Sequence, residues 1–561
     1  MNERDSAAAH ERRWLVLGAM CLSLLLIVLD NTIVNVALPT LQRDLDATTS
    51  QLQWIVDSYV LVFAGLLLTM GAVGDRFGRR GALTAGLAIM GAASVLAVFA
   101  DSANQLIAIR ALMGVGGALV MPSTLSILTN VFTEPTERAR AIGIWAAFAG
   151  AGGAIGPVAG GFLLEHFWWG SVFLLNVPVV VVAIVANRLI VPTSRDANAP
   201  RLDIPGALLS IVGLVSLVYG IIEGQHGWTE PNVLVGFAIA VVILTAFVLW
   251  ERHTPQPMLD VQFFRNRRFS VASTAVCMTF FAMFGSMFLM TQYLQFVLGY
   301  TALETGVRLL PMAGVMMVFA PTSARIVERV GTKIVVSTGL AIAGLGLVVI
   351  SLLTPESSYL NVLGALFVGS FGMSLVMAPA TESIMGSLPP AKAGVGSAVN
   401  DTTRELGAAL GIAVLGSVFA SSYGPRMNDA TAALGLPDGV RDSAADQIGS
   451  ALAIANDLGA PGAQLAAAAR DAFVDGMGTS LIAGAVVMGL ASLLTLLLLP
   501  ARGRPVGVTG DSAGESSHAL PMDGAGRDRH SLSGASENGA NDGSGAGRPE
   551  STPDDSDAYV S

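Results

Sequence analysis

About fourteen apolar stretches of helical length, separated by short polar gaps, run along this chain and fix its solvent. A helix rising 1.5 Å per residue needs roughly 20 residues to cross a hydrocarbon core of ~30 Å. The stretches at about 14–38, 51–73, 81–100, 105–129, 139–163, 171–191, 204–223, 232–250, 270–298, 305–325, 333–353, 359–386, 394–420 and 477–500 have that reach. The expected fold is an all-α, multi-pass integral membrane protein. Composition agrees: 53% of the 561 residues are hydrophobic and 13% charged, against about 25% charged in a soluble domain. The first stretch is too long for the apolar region of a signal peptide and no small-residue cleavage site follows it, so it is expected to stay as the first span.

Arginines crowd every second gap. The intervals 74–80, 132–141, 188–202, 251–268, 325–333 and 387–394 hold Arg76, Arg79, Arg80, Arg138, Arg140, Arg188, Arg195, Arg201, Arg252, Arg265, Arg267, Arg268, Arg325, Arg329, Lys333 and Lys392, whereas the short gaps between them hold only Arg43. Basic residues of short loops stay on the cytoplasmic side, so both termini are expected there: 1–13 at one end and 501–561 at the other. That tail is rich in Gly, Ser, Asp and Pro with hardly any apolar residues, and is expected to be disordered. Its ten acidic residues against five arginines supply half of the net charge of −10, which therefore says little about substrate. Residues 421–476 are expected as an extracytoplasmic loop, with Ala444 to Leu458 and Gln464 to Phe473 as short helices. Cys21 and Cys277 each sit inside an apolar span and read as packing residues.

One internal repeat is visible. Asp75-Arg76-Phe77-Gly78-Arg79-Arg80 in gap 2–3 and Glu328-Arg329-Val330-Gly331-Thr332-Lys333 in gap 10–11 share the order acid, Arg, apolar, Gly, any, basic. Two six-helix halves with an extra helix pair between them, helices 7 and 8, would produce this spacing, and parallel halves are a transporter architecture.

The fifth span holds Gly152, Gly156 and Gly160 four apart, beside Pro157 and Gly161. Such a stripe lets another helix approach backbone to backbone, either as ordinary packing or as part of a moving interface. Ionisable residues occur inside three spans. By helical rise, Asp30 lies about 24 Å from the basic end of its helix, while Asp57 and Arg110 lie about 8–10 Å from the other end of theirs, so all three are expected in one layer. Charges at that depth face a bundle interior and mark a pathway or proton relay; the alternative is a static Asp–Arg pair, or for Asp57 a place near the headgroups. Asn31, Asn35, Tyr59 and, in the second half, Gln292 are candidates with Asp57 for substrate contact.

Together these segments, over roughly residues 14–500, resemble the major facilitator superfamily and within it the 14-helix drug:proton antiporter branch. The family's helix 2–3 pattern is matched by Gly71, Asp75, Arg76, Gly78, Arg79 and Arg80, its antiporter motif by Gly152, Gly156, Pro157, Gly160 and Gly161, and a branch signature by Leu29-Asp30 through Pro39. The resemblance implies an N-terminal six-helix half at 14–191, a linker with inserted helices at 192–251, and a C-terminal half at 252–500. It implies that Asp75 and its arginines form a cytoplasmic gate, with Glu382, Asp401, Arg404 and Glu405 as partners in the second half, and that Asp30, Arg110, Asp57 and Glu405 couple transport to protons. Asp401, Arg404 and Glu405 could equally neutralise one another. Two departures stand out: Met113 occupies the place of a usual Gln three residues after Arg110, and Trp169-Gly170-Ser171 replaces a usual Trp-Arg-Trp.

The function implied is a proton-coupled antiporter exporting amphipathic, often cationic, small molecules across a bacterial cytoplasmic membrane, with no cofactor beyond the proton gradient, no nucleic-acid partner and a monomer as the unit. An ATP-driven pump is excluded, because a phosphate-binding loop needs Gly-Lys-Ser/Thr and Lys333 and Lys392 follow Thr332 and Ala391. An intramembrane metal enzyme needs interior histidines, and all six lie outside the spans or at their ends. An exporter of a self-made antibiotic, metabolite or lipid, or a nutrient importer of the same fold, remain the alternatives.

Overall fold

The computed structural model describes residues 12–193, 202–388, 393–458 and 460–500. The tail 501–561, and Arg195, Arg201 and Lys392 of the basic gaps, lie outside the described residues. Among those described there are helices and no strands, and fourteen helices are long and apolar enough to cross a bilayer. The first half comprises α1 (Arg13–Asp44), α2 (Thr49–Phe77), α3 (Arg79–Ala97), α4 (Ala103–Val131), α5 (Pro135–His166) and α6 (Ser171–Ile190), the last interrupted at Leu175. α7 (Ile204–Glu223) and α8 (Pro231–His253) are the inserted pair. The second half comprises α9 (Arg267–Val297), α10 (Ala302–Val330), α11 (Thr332–Ser351), α12 (Tyr359–Met385), α13 (Ala393–Ala433) and α16 (Ala460–Leu498). Between the last two lie α14 (Asp438–Asp446) and α15 (Ile448–Asp457).

The repeat is deeper than six residues. α2 and α10 hold equivalent places in the two halves and each has 29 residues. Each begins in a reciprocal capping box, Thr48 with Gln51 and Thr301 with Glu304, which satisfies two of the amide donors that a helix start leaves orphaned. Each ends in a glycine of positive φ, Gly78 at +114° and Gly331 at +88°, which turns the chain directly into the next helix. A side chain there is strained, so the Asp-Arg-x-Gly pattern encodes a turn as well as charge.

The halves meet at the end opposite the arginines and part toward the arginine-rich, basic end. On α5 the stripe Gly152, Gly156 and Gly160 is filled by α1, against Leu25 and Val28, Thr32, and Ile33 respectively. The adjoining face of α5 meets the second half. A Cβ on Gly161 would stand 2.5 Å from the backbone of Ala302 and Leu303, and one on Gly306 would strike the Pro157 carbonyl. Toward the basic end, Gly153 and Gly150 on α5 and Gly314 on α10 have no neighbour within 4 Å of a would-be Cβ among the described residues. The second seam, α2 with α13, is also closed at the end opposite the arginines, where Gln53 Nε2 donates to the carbonyls of Ile412 and Ala413, both at 3.3 Å, and Gly416 leaves room for that side chain. α7 lies along this seam: Ser210 Oγ donates to the Gly65 carbonyl at 3.4 Å and Ser417 Oγ to that of Ile221 at 2.8 Å. Its partner α8 turns Val235, Ile239, Val241, Val242 and Val248 outward, as a lipid-facing helix does.

The segment expected as a loop at 421–476 is largely continuous helix. α13 runs on to Ala433 and α16 begins at Ala460, so Gln464 to Phe473 belongs to a long helix and the short helices are α14 and α15. These alanine- and serine-containing stretches keep helical order beyond the apolar windows because neighbours cover them. Tyr423 Oη donates to the Ala444 carbonyl at 3.1 Å, Thr49 Oγ1 to that of Asp446 at 2.7 Å, and Gln447 Nε2 to Asp46 Oδ1 at 3.4 Å. The α14–α15 segment therefore rests on both halves.

If the Pro157–Gly306 approach holds the halves together, Gly306→Val should spread them. Spin labels at residues 165 and 356 should report a longer and broader distance in this variant; an unchanged distribution would contradict the packing.

Candidate functional site

The three intramembrane ionisable residues of the first half divide into a pair and a single. Arg110, fully buried on α4, donates from Nη1 to Asp30 Oδ2 at 2.5 Å and from Nε to the Ile55 carbonyl of α2 at 3.0 Å. Its guanidinium also stacks over the Tyr59 ring, 4.4 Å from the centroid, while its Nη2 has no partner. Three helices thus converge on one cation. Where the sequence substitutes Met113 for the usual Gln, the thioether lies 3.7 Å from Arg110 Nη1 and acts as a weak acceptor, so the place is occupied by a softer contact.

Asp30 has a further partner that the sequence reading did not assign. Asn176 Nδ2 donates to Asp30 Oδ1 at 2.8 Å and lies 3.2 Å from Ser94 Oγ on α3. The break at Leu175, where the short turn Ser171–Leu174 gives way to the rest of α6, sets Asn176 at a helix start with its side chain inside the half. The available signal was an amide within an otherwise apolar stretch, two residues before Pro178. Both oxygens of Asp30 are therefore bonded, one by a cation and one by an amide.

Asp57 shares their depth but not their direction. Two residues along a helix is a rotation of ~200°, so while Tyr59 faces Arg110, Asp57 follows Gln53 on the face toward α13. It is fully buried, and neither of its oxygens has a hydrogen-bond partner among the described residues. Asn31 and Asn35 line α1 one turn apart, the Asn35 amide donating to the Asn31 carbonyl at 2.9 Å, with both Oδ1 atoms unpartnered. Gln292 is buried and bonded to its own helix through the Phe288 carbonyl at 3.0 Å. Glu405 comes from α13 of the second half. Its neighbours on α13 are Asp401 and Arg404, themselves paired at 3.5 Å, and Arg404 lies over Phe280.

At the basic end, Asp75 accepts from Arg79 Nε at 2.7 Å and from Ser126 Oγ at 3.3 Å, both within the first half. Arg80 bonds the Val191 carbonyl at 3.3 Å, Arg76 is exposed beside Phe77, and Gly71 makes ordinary contact with Pro122. No group of three or more metal-ligating side chains occurs among the described residues.

Comparison with known proteins fits this geometry. The sequence profile of the Major Facilitator Superfamily matches residues 20–412. The chain belongs to that superfamily. Its relatives in the Major Facilitator Superfamily include the multidrug efflux pump LfrA of Mycolicibacterium smegmatis, 36% identical with 86% of this chain and 96% of the relative covered. The tetracenomycin C resistance and export protein of Streptomyces glaucescens is 33% identical over 88% and 94%, and the methyl viologen resistance protein SmvA of Salmonella typhimurium 34% over 82% and 93%. In fold, the chain matches an inward-facing bacterial homolog of the human lysosomal transporter Spinster at a TM-score of 0.60 and 18% identity, over 88% of this chain and 99% of that one. A peptide transporter of the POT family matches at a TM-score of 0.59 and 13% identity, over 86% and 95%. The protein is thus a multi-pass membrane transporter of the Major Facilitator Superfamily for small molecules, related to resistance and efflux proteins.

A thermodynamic cycle tests the pair. Arg110→Met alone leaves a buried carboxylate without its cation, at about 3–5 kcal/mol, whereas Arg110→Met with Asp30→Asn removes both charges and should recover most of that loss. Thermal unfolding in detergent would show this as a larger fall for the single variant than for the double; additive losses would argue against the pairing. Asn176→Leu should cost about 1–3 kcal/mol through the stranded Asp30 oxygen, and an unchanged melt would contradict that bond.

Proposed function

We propose that this transporter exports amphipathic, chiefly cationic, drugs or antibiotics across a bacterial cytoplasmic membrane in exchange for protons, with the basic end and both termini in the cytoplasm and a monomer as the working unit. The observation that carries the reading is the buried Asp30–Arg110 pair, which joins α1 to α4 and touches α2 through Ile55. A carboxylate held by one cation releases it only by accepting a proton or another cation. Proton and substrate therefore compete for the site, and each favours a different arrangement of the halves. With the basic end cytoplasmic, the present arrangement opens inward, and the Asp75 gate is bonded inside its own half. The membrane potential adds about 2.3 kcal/mol per charge per 100 mV to the proton gradient.

Substrate class follows from the relatives and from Asp57. One relative confers resistance to methyl viologen, an organic dication, and Asp57, buried without a partner, offers a second carboxylate on the seam toward α13. The tetracenomycin C exporter favours a second reading, in which the substrate is made in the same cell.

A protonophore should abolish ethidium efflux from cells expressing the protein, while ATP depletion with the gradient maintained should not. Gradient-independent export would sink the proposal. Asp30→Asn should insert normally yet fail to drive uphill transport in proteoliposomes; full coupling by that variant would move the role to Glu405 or Asp57. Asp57→Asn should weaken resistance to dications more than to monocations, and an equal loss for both would remove Asp57 from substrate recognition.

A further inference from the structure

We infer that Asp203 and Glu251, at the basic end of the inserted helix pair, form a second proton-binding site separate from Asp30. Asp203 caps α7 and Glu251 lies in the last turns of α8; they are 7% and 2% exposed. One oxygen of each is satisfied. Asp203 Oδ1 accepts from the Gly206 amide at 2.9 Å and from Trp250 Nε1 at 2.8 Å, and Glu251 Oε2 accepts from the Leu259 amide at 3.0 Å. The other two, Asp203 Oδ2 and Glu251 Oε1, are buried and meet no donor among the described residues. They face one another. A Cβ built on Gly206 would stand 2.6 Å from each, so their separation is at most twice that distance, and the two side chains are in hydrogen-bonding reach.

Two ionised carboxylates in that position would bear both desolvation and mutual repulsion. One proton between them makes one oxygen a donor and the other an acceptor, and satisfies both orphans together. Among the described residues, the charges that act on Glu251 are acids, Asp203 and Asp260. Asp260 turns Oδ1 to the Gln262 amide at 3.1 Å, while Arg252, His253 and Arg265 on the same elements are exposed. α2 meets this region through uncharged groups, the Gly65 carbonyl at Ser210 and Thr69 at Met258. A metal ion fits poorly, since a hard cation wants six or more oxygens and the remaining groups here are N–H donors.

The site lies at a mechanical junction. It ties α7 to α8 and, through Leu259, to the segment that leads into α9, while α7 itself bonds Gly65 of the first half and Ser417 of the second. Loss of the shared proton leaves two like charges buried beneath the strap that spans both halves. The junction should therefore hold at acidic pH and loosen as pH rises. With the basic end cytoplasmic, a point that rests on the reading above, it would answer to internal pH.

The test uses purified protein in detergent, without substrate or gradient, so that its outcome does not depend on whether the protein is a proton antiporter. Thermal unfolding is followed from acidic to alkaline pH. The wild-type midpoint should fall as pH rises above the ordinary carboxylate range, where unfolded acids ionise and the buried pair does not, and level off once the pair itself has ionised. Glu251→Gln, whose amide donates permanently to Asp203 Oδ2, should lose that dependence, and Asp30→Asn should retain it. Asp203→Asn is the second variant should Glu251→Gln fail to fold, and should flatten the profile in the same way. A wild type with no such fall, or either amide variant keeping the full fall, would overturn the site.

Discussion

A guanidinium sealed inside a bilayer must be held by its neighbours or not be there at all, and Arg110 sets that demand for the first half. Its bonds to Asp30 and the Ile55 carbonyl, and its stacking on Tyr59, fix the azimuth of α1 and α2 around α4. Asn176 then ties α6 to the same carboxylate and, through Ser94, α3 as well. Five of the six helices are thereby registered on one ion pair. A group so constrained is stable while paired and costly once broken, which is the condition for using proton and substrate as alternative partners.

The closed end supplies the complementary part. Small residues let α5 serve two partners at once, α1 through Gly152, Gly156 and Gly160, and α10 through Pro157 and Gly161. Because α5 meets α10 through small residues at the closed end, with Gly161 and Gly306 against opposing backbone, the halves can pivot there. The two capping boxes and the two positive-φ glycines give α2 and α10 equal length and matching ends, while α10 also carries Pro311 and Pro321 inside its span, where each removes a backbone hydrogen bond.

Much of this was legible in the sequence. Span number followed from apolar length, and the depth shared by Asp30, Asp57 and Arg110 followed from helical rise. Direction was harder. The two-residue offset between Asp57 and Tyr59 already implied opposite faces, yet only the packing of α2 between α4 and α13 tells which face meets which helix. Asn176 carried a weak signal because an amide in an apolar stretch has many possible uses. The extent of α13 and α16 was missed because hydropathy marks where lipid ends, whereas helices continue wherever tertiary cover continues, as at Tyr423 and Ala444.

The central claim is that proton and substrate compete at Asp30, and proton release on binding tests it most directly. Binding of a cationic substrate to purified protein in a weakly buffered solution with a pH-indicating dye should release protons from the wild type and none from Asp30→Asn at matched saturation. Equal release from both would contradict the account.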